Sequence, residues 1–465
     1  MLIDRRIAAA ALVAAAVLYL LATDARLGYD TAYQLVWGRD LLDGHLPAYD
    51  VRLAPTPHPL QVLVAAPLSL LGQAADEALR ALSLISLALL SLALYRIGTL
   101  LFCRPVGAVA AAVLITRPHL IELAYLGDAD IPAAALSAWA AVLALVRRPA
   151  PALALLALAG LLRPEAWLLS AAYLAYLSRA PQHKEGLTPF MLALAAAGPL
   201  LWGLSDLAVT GDALWSLHHT RTGTELLERD TGATEAVKQL PRHLNFLLGA
   251  PVLVVGLLGF AAGLVAARRR MWGLVAVIVL LGGGFLVLAL AGLSLQPRYL
   301  AGLAAAIVVC AGMGGLGWLV LLGDHVGRAR WRVAGLAGLV LLVAGLPFDA
   351  AEYVDVRGRV VDDGRLLEEL ARGDARAAIR SCGPVAVPTI RPIPYLALWT
   401  GAEPETFVEA GAAPPAAGTL VTPTETSESW VGGGGEGQPP RVLPPVPAGY
   451  AEVAANRGWR VLSTC

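Results

Sequence analysis

Charge is what this 465-residue chain lacks most: Asp, Glu, Lys and Arg make up 15% of it, against about 25% in an ordinary soluble domain. Hydrophobic residues, 57% of the total, stand in their place, in blocks of the ~20 residues that one bilayer crossing needs. Length alone suggests about three soluble domains; the charge deficit excludes that, and a polytopic membrane protein is the reading that fits. An excess of one sign is missing too. Thirty-five basic residues offset thirty-five acidic ones, so no global field draws nucleic acid, and none is expected as a partner. Lysine occurs only at Lys184 and Lys238. With so much Ala, Leu, Val and Gly, this reads as a compositional bias, so arginine carries no function merely by being arginine. Also missing are a Gly-rich phosphate loop after a strand, a kinase motif set, a zincin pattern and a Ser-hydrolase elbow, which speaks against a nucleotide-driven reaction. There is no internal repeat.

Eleven apolar spans are predicted: 7–23, 79–102, 106–124, 131–146, two short ones within 152–177, then 189–209, 246–267, 272–295, 299–322 and 333–348. The pair within 152–177 meets at a polar corner made by Arg163, Pro164 and Glu165. Orientation follows from Arg and Lys, which concentrate in short cytoplasmic loops. With the N terminus inside, the inner connections hold Arg5 and Arg6, Arg104, Arg147 and Arg148, Arg179 and Lys184, Arg268 to Arg270, and Arg328, Arg330 and Arg332. The outer segments mix Arg with as many or more acids, as in 24–50 and 206–242. The run 58–72 holds Pro59 and Pro67, is too short to cross, and is read as interfacial or re-entrant. The first span is read as retained rather than as a cleaved signal peptide.

The fold class expected is an all-α polytopic membrane protein of about eleven transmembrane helices with a small extracytoplasmic α/β C-terminal domain. Residues 1–348 form the membrane domain, with outer loops 24–78 and 210–245. Residues 349–465 form the outer domain: helical periodicity over 362–380, a β-branched run at 384–388, a Gly/Pro/Ser/Thr-rich mobile loop at about 422–447, and two strands around Asn456, Arg457 and Gly458. Cys103 and Cys310 fall within or beside apolar spans as small buried hydrophobes. Cys382 and Cys465 fall in the oxidising outer compartment, where a disulfide is expected.

Candidate chemistry gathers on the outer side. Asp30 opens a short helix over 30–42 that would lie in the headgroup layer with Trp37 at the interface. It is either an N-cap or a carboxylate facing a cavity. Asp128 and Asp130 precede the fourth span and carry the same two readings. If they converge with the first cluster, they could divide general-base and positioning roles or share a divalent cation. Glu122 is a prospective partner for Arg117. Arg163 and Glu165 either pair with each other or turn Arg163 into the outer cavity. His218, His219, Arg221, Arg229, Lys238, Arg242 and His243 lie in the loop after the seventh span. Adjacent histidines do not give helical metal-pair spacing, whereas guanidinium groups offer forked donors to a phosphate headgroup. Arg298, at the outer mouth of the tenth span, is the sharpest such case, with snorkelling as its alternative.

Taken in order, Asp30 and Tyr33 with GRDLLDGHLPAYD, the HPL from His58 to Leu60, Arg80, GDADIP, LLRPEAW and QPRYL resemble the C-type (GT-C) membrane glycosyltransferases. The likeness is to bacterial relatives of protein mannosyltransferases and aminoarabinose transferases, and it covers residues 7–322. It implies a polyprenyl-phosphate sugar donor entering from the lipid bilayer and an extracytoplasmic glycan, lipid or protein acceptor, at a plasma membrane. By the same resemblance Asp30 is the base, Asp128 or Asp130 assists it or holds a cation, and Arg298, Arg163 and Arg221 bind the donor phosphate. Tyr33, His58, Glu165 and His218 are further candidates for the outer cavity. A single acid stands at Asp30 where many members have an acidic pair, which leaves metal use open. Two other classes compete: a transporter or flippase, which would also keep charges within spans but shows no duplicated halves here, and a non-catalytic envelope assembly protein.

Overall fold

The computed structural model describes residues 5–179, 187–320, 327–409, 414–424, 427 and 446–465. Lys184 of the expected inner loop lies outside the described residues, as do 425, 426 and 428–445 of the expected 422–447 loop. Among the described residues eighteen α-helices and five strands follow one another. The helices are α1 (Arg5–Leu21), α2 (Tyr29–Leu42), α3 (Pro59–Ser69), α4 (Ala75–Leu101), α5 (Arg104–Ile115), α6 (Pro118–Tyr125), α7 (Asp130–Leu145), α8 (Pro149–Gly160), α9 (Glu165–Arg179), α10 (Pro189–Thr210), α11 (Trp215–Leu226), α12 (Ala233–Leu248), α13 (Ala250–Ala266), α14 (Arg268–Leu290), α15 (Ala301–Leu316), α16 (Arg328–Arg372), α17 (Arg376–Ser381) and α18 (Ile393–Thr400).

Every predicted span overlaps helix among the described residues, and the chain is an all-α polytopic membrane protein with a small C-terminal sheet. Among the described residues five helices are long and apolar enough to cross a bilayer, or up to seven if each bent pair is one span. Two predicted spans are not straight: 246–267 begins in α12 and turns by 109° into α13 after Leu248. Residues 106–124 are split into α5 and α6, which meet at 62°, because Pro118 cannot continue the helix before it and instead starts a new one at its N terminus. The re-entrant run becomes α3, eleven residues with Pro67 inside it.

The chain divides into two compact units, one of residues 1–21, 58–61 and 80–356, the other of 22–57, 62–79 and 357–465. The core of the first is built by small residues. α15 reads AGLAAAIVVCAGMGGL and is buried along nearly its whole length. Where it crosses α13, a Cβ on Gly259 would collide with the Cys310 carbonyl oxygen, and one on Gly314 with that of Val255. Gly312 meets the Val106 carbonyl of α5 in the same way. In lipid, where apolar faces gain little by leaving their solvent, such close backbone approach is what holds helices together.

The second unit holds a five-stranded sheet of β1 (Val385–Val387), β2 (Phe407–Glu409), β3 (Thr419–Pro423), β4 (Ala451–Ala455) and β5 (Trp459–Ser463). Its order is β2-β1-β3-β5-β4. β1 runs parallel to β2 and β3, whereas β5 is antiparallel to both β3 and β4. The β4–β5 turn is set by Asn456, whose Oδ1 accepts from the backbone N–H of Gly458 at 3.0 Å and of Trp459 at 2.9 Å. Cys382 and Cys465 form a disulfide with Cα atoms 6.1 Å apart. In the same unit α2 lies against α3, with no room for a side chain at Gly38 beside Ala65, and Leu27, Leu35, Ala65, Ala75 and Leu79 form a core joined by Leu398 of α18.

Candidate active site

In the first unit three polar corners come together: the turn before α7, the corner between α8 and α9, and the turn leading into α15. Asp128 Oδ2 lies 3.7 Å from Arg298 Nη1. Asp130 Oδ1 lies 3.5 Å from Arg163 Nε, and Arg163 Nη2 donates to Glu165 Oε1 at 2.8 Å. Tyr299 sits against both cations, its ring centre 4.1 Å from the guanidinium carbon of Arg163 and 5.6 Å from that of Arg298. Two guanidinium groups are thus held by three carboxylates and one aromatic face, an arrangement suited to an oxyanion that arrives with its own charge.

Gly127 makes the first corner possible. It adopts φ +71, a left-handed conformation that glycine takes without steric cost, and its carbonyl accepts from Gln61 Nε2 at 2.9 Å. The Leu60 N–H donates to the Leu161 carbonyl at 3.2 Å. The short segment carrying His58 is thereby tied to the residues flanking Asp128 and Arg163. His58 itself is buried and meets Trp202 edge-on at 5.9 Å.

Several sequence readings need correction. Neither Asp128 nor Asp130 stands at the N-cap of α7, which is Ala129, and each lies beside an arginine. Arg163 and Glu165 do pair, but Asp130 is a third member. Glu122 does not bind Arg117. Its Oε2 accepts from His119 Nδ1 at 2.9 Å, since residues three apart share a helix face, whereas Arg117 makes a two-pronged pair with Asp349 (Nη1 to Oδ1 3.0 Å) and donates to the Leu248 carbonyl at 2.8 Å. Arg221 and His218 stay local: Arg221 is exposed and pairs with Glu225, and His218 Nδ1 lies 2.7 Å from Asp212. Asp206, expected in an outer loop, is buried within α10, where it accepts from the N–H and hydroxyl of Ser216, both at 2.9 Å. No signal in the sequence separated this buried staple from an exposed acid.

In the second unit Asp30 occupies the first turn of α2, half-buried. It is not the N-cap, because the helix begins one residue earlier and Gly28 takes that place. A carboxylate there is still favoured by the N-terminal end of the helix dipole. Tyr33 is not a cavity residue. It is fully buried, with ring centres 5.2 Å from Tyr29 and 5.3 Å from Trp37. Trp37 is not at an interface either: it is fully buried, donates to the Ala48 carbonyl at 3.2 Å, and is covered by Tyr49. The chain after α2 folds back over the helix, satisfying an indole that the headgroup layer was expected to serve. Burial pushes the Tyr29 and Tyr33 phenols well above their ordinary value, so both stay protonated and neither rivals Asp30 as a base. This unit also contains an open cavity of about 410 Å³ whose wall includes Asp50, Arg52, Glu405 and Glu409. Among the described residues no group of three His, Cys, Asp or Glu is placed to hold a metal ion.

No family model matches the chain, and no curated protein matches it. Solved structures do. ArnT from Cupriavidus metallidurans bound to undecaprenyl phosphate is 13% identical, with a TM-score of 0.60 over 99% of this chain and 97% of that one. The Archaeoglobus fulgidus oligosaccharyltransferase tethered to an acceptor peptide is 12% identical, with a TM-score of 0.53 over 87% of this chain and 64% of that one. The same oligosaccharyltransferase, AglB, in complex with an inhibitory peptide and a dolichol-phosphate gives a TM-score of 0.51 at 12% identity, over 84% and 63%. The chain shares its fold with these solved structures.

Proposed function

We propose that this protein is an integral membrane glycosyltransferase that moves a sugar from a polyprenyl-phosphate donor to an extracytoplasmic acceptor. The observation that carries the reading is the pair of arginines, Arg163 and Arg298, whose guanidinium carbons lie 4.1 and 5.6 Å from the ring centre of Tyr299. A fold shared with a protein bound to undecaprenyl phosphate supports it.

In this reaction Asp30 takes the proton of an acceptor hydroxyl as its oxygen bonds to the anomeric carbon. The bond from that carbon to the donor phosphate breaks, and the electron pair leaves on the phosphate. A phosphate is a competent leaving group, so the protein supplies a base and cations for the departing oxygen. Arg298 and Arg163 take the second task. Asp128 and Asp130 hold these arginines rather than act as bases themselves. Asp30 is assigned on residue chemistry: a half-buried carboxylate in the first turn of a helix whose N-cap place is taken by Gly28.

Two arginines at the phosphate reduce the need for the divalent cation that Asp30, Asp128 and Asp130 could have shared, and transfer is expected to survive chelation with EDTA. A fall to background restored by Mg²⁺ or Mn²⁺ would reverse that. The protein is placed in the plasma membrane with residues 1–348 as the membrane domain, its N terminus inside, and residues 349–465 outside. Labelling from outside at Gly411, with protection at Gly186 and Gly327, is the expected pattern.

The direct test incubates purified protein with undecaprenyl-phosphate-linked sugars and, as acceptor, envelope from a deletion strain, and measures released undecaprenyl phosphate together with acceptor mass. No release with any donor would overturn the reading. Counterflow of a lipid or solute without covalent transfer would make the protein a transporter.

A further inference from the structure

The helix that carries Asp30 is fastened to the C-terminal part of its unit. Tyr395, on α18, is 2% exposed, and its hydroxyl donates to the Leu27 carbonyl at 3.0 Å. Arg26 Nη1 donates to that hydroxyl at 2.9 Å, while the Arg26 backbone N–H donates to the Val360 carbonyl of α16 at 2.8 Å. Leu27 immediately precedes Gly28, the N-cap of α2. At the other end of α2, Arg39 Nη1 donates to the Ala397 carbonyl of α18 at 3.1 Å.

Gly28 contributes no side-chain cap, so the peptide before the helix has to be oriented from elsewhere, and the Tyr395 hydroxyl does this from about three hundred and seventy residues away. We propose that Tyr395 is a positioning residue for Asp30: the C-terminal α/β segment acts in the reaction by fixing the entry into α2, and hence the direction of the carboxylate. This rests on Asp30 being the base. Reacting groups must be held closely, and a displacement of about 1 Å can cost about 100-fold in rate. The hydroxyl, rather than the ring, is the part that matters, since the ring also packs against Trp399 at 5.5 Å.

The test compares Tyr395→Phe with Tyr450→Phe in the full-length protein, using an undecaprenyl-phosphate-linked sugar as donor and deletion-strain envelope as acceptor. Tyr450 also donates to a backbone carbonyl in this unit, that of Pro415 at 2.9 Å, so Tyr450→Phe reports what losing such a bond does to folding alone. Tyr395→Phe is expected to lower kcat about 10-fold or more with donor and acceptor KM within about 2-fold of wild type. Tyr450→Phe is expected to leave kcat unchanged. Wild-type kcat in Tyr395→Phe, or equal losses in both variants accompanied by equal falls in Tm, would overturn the proposal. Asp30→Asn measured alongside separates the two levels. If it is fully active, the assignment of the base fails and the proposal with it; if it is inactive while Tyr395→Phe is fully active, only the proposal fails.

Discussion

Arg163 rests over the ring of Tyr299, 4.1 Å from its centre, while its guanidinium edge is occupied by Asp130 and Glu165. A cation held on one face by a ring quadrupole and along its edge by carboxylates keeps its charge and its direction. Arg298 lies 3.7 Å from Asp128 and 5.6 Å from the centre of the same ring, and its side chain is the more exposed of the two, 20% against 12%. The two arginines should therefore fail differently. Arg298→Gln is expected to raise the donor KM by roughly 10-fold with little change in Tm. Arg163→Gln removes the positive partner of two buried acids and should cost about 3 to 5 kcal/mol of stability; adding Glu165→Gln should recover part of it. Donor titrations and thermal unfolding in detergent check both.

Asp30→Asn should leave insertion and Tm close to wild type, since Asn keeps the shape and most of the hydrogen-bonding capacity of Asp, and lower transfer by about 100-fold or more, the scale of lost general-base catalysis. Full transfer by well-folded Asp30→Asn protein would remove Asp30 from the mechanism.

Arg117 and Asp349 meet across 232 residues of sequence, and Arg117 also serves the C-terminal carbonyl of α12. Breaking a pair of this kind leaves a charge in a poor solvent. Arg117→Gln and Asp349→Asn should each cost about 3 kcal/mol, and the double variant little more than either, which a double-mutant cycle on unfolding will show.

Asp40 is buried on α2, and burial raises its carboxyl from 3.8 to about 6 despite the neighbouring Arg39. The folded-state value exceeds the unfolded one. The group therefore adds stability that is complete below about pH 4 and is lost as pH rises through 6, by about 2 to 3 kcal/mol in all. Asp40→Asn should unfold at a higher temperature than wild type at pH 7.5 and lose that advantage at pH 4.

The Cys382–Cys465 bridge closes a loop with a sequence separation of 83. Replacing both residues with Ala should cost roughly 3 to 5 kcal/mol by the chain-entropy argument. Non-reducing peptide maps and thermal unfolding of the full-length protein read the outcome.

Hydropathy made the helices legible because a bilayer crossing imprints its length on the sequence, and the β4–β5 hairpin was legible because Asn456 and Gly458 mark a turn. What escaped was long-range. A window average cannot see that Pro118 divides an apolar run into two helices at 62°. Nor can it pair Arg117 with Asp349 when Glu122 is a few residues away. At the candidate site the residue types were readable, but their partners were not: Asp128 and Asp130 are two apart in sequence yet serve different arginines. Trp37 misled because an exposed amphipathic helix was assumed. Nine of the fourteen residues of α2 are buried, on more than one face, and Gly38 among them was the available sign of a close backbone approach.

The glycine crossing of α13 and α15 also bears on traffic. Two backbones already in contact cannot part to admit a prenyl chain without giving up the packing that Gly259 and Gly314 permit. If the donor proposed above binds at Arg163 and Arg298, its lipid tail has no doorway along that seam. It must slip in beside helices that show most of their length to the surroundings, as α10 and α14 do, and bulky substitutions on those two helices would narrow the route for long-chain donors before short ones.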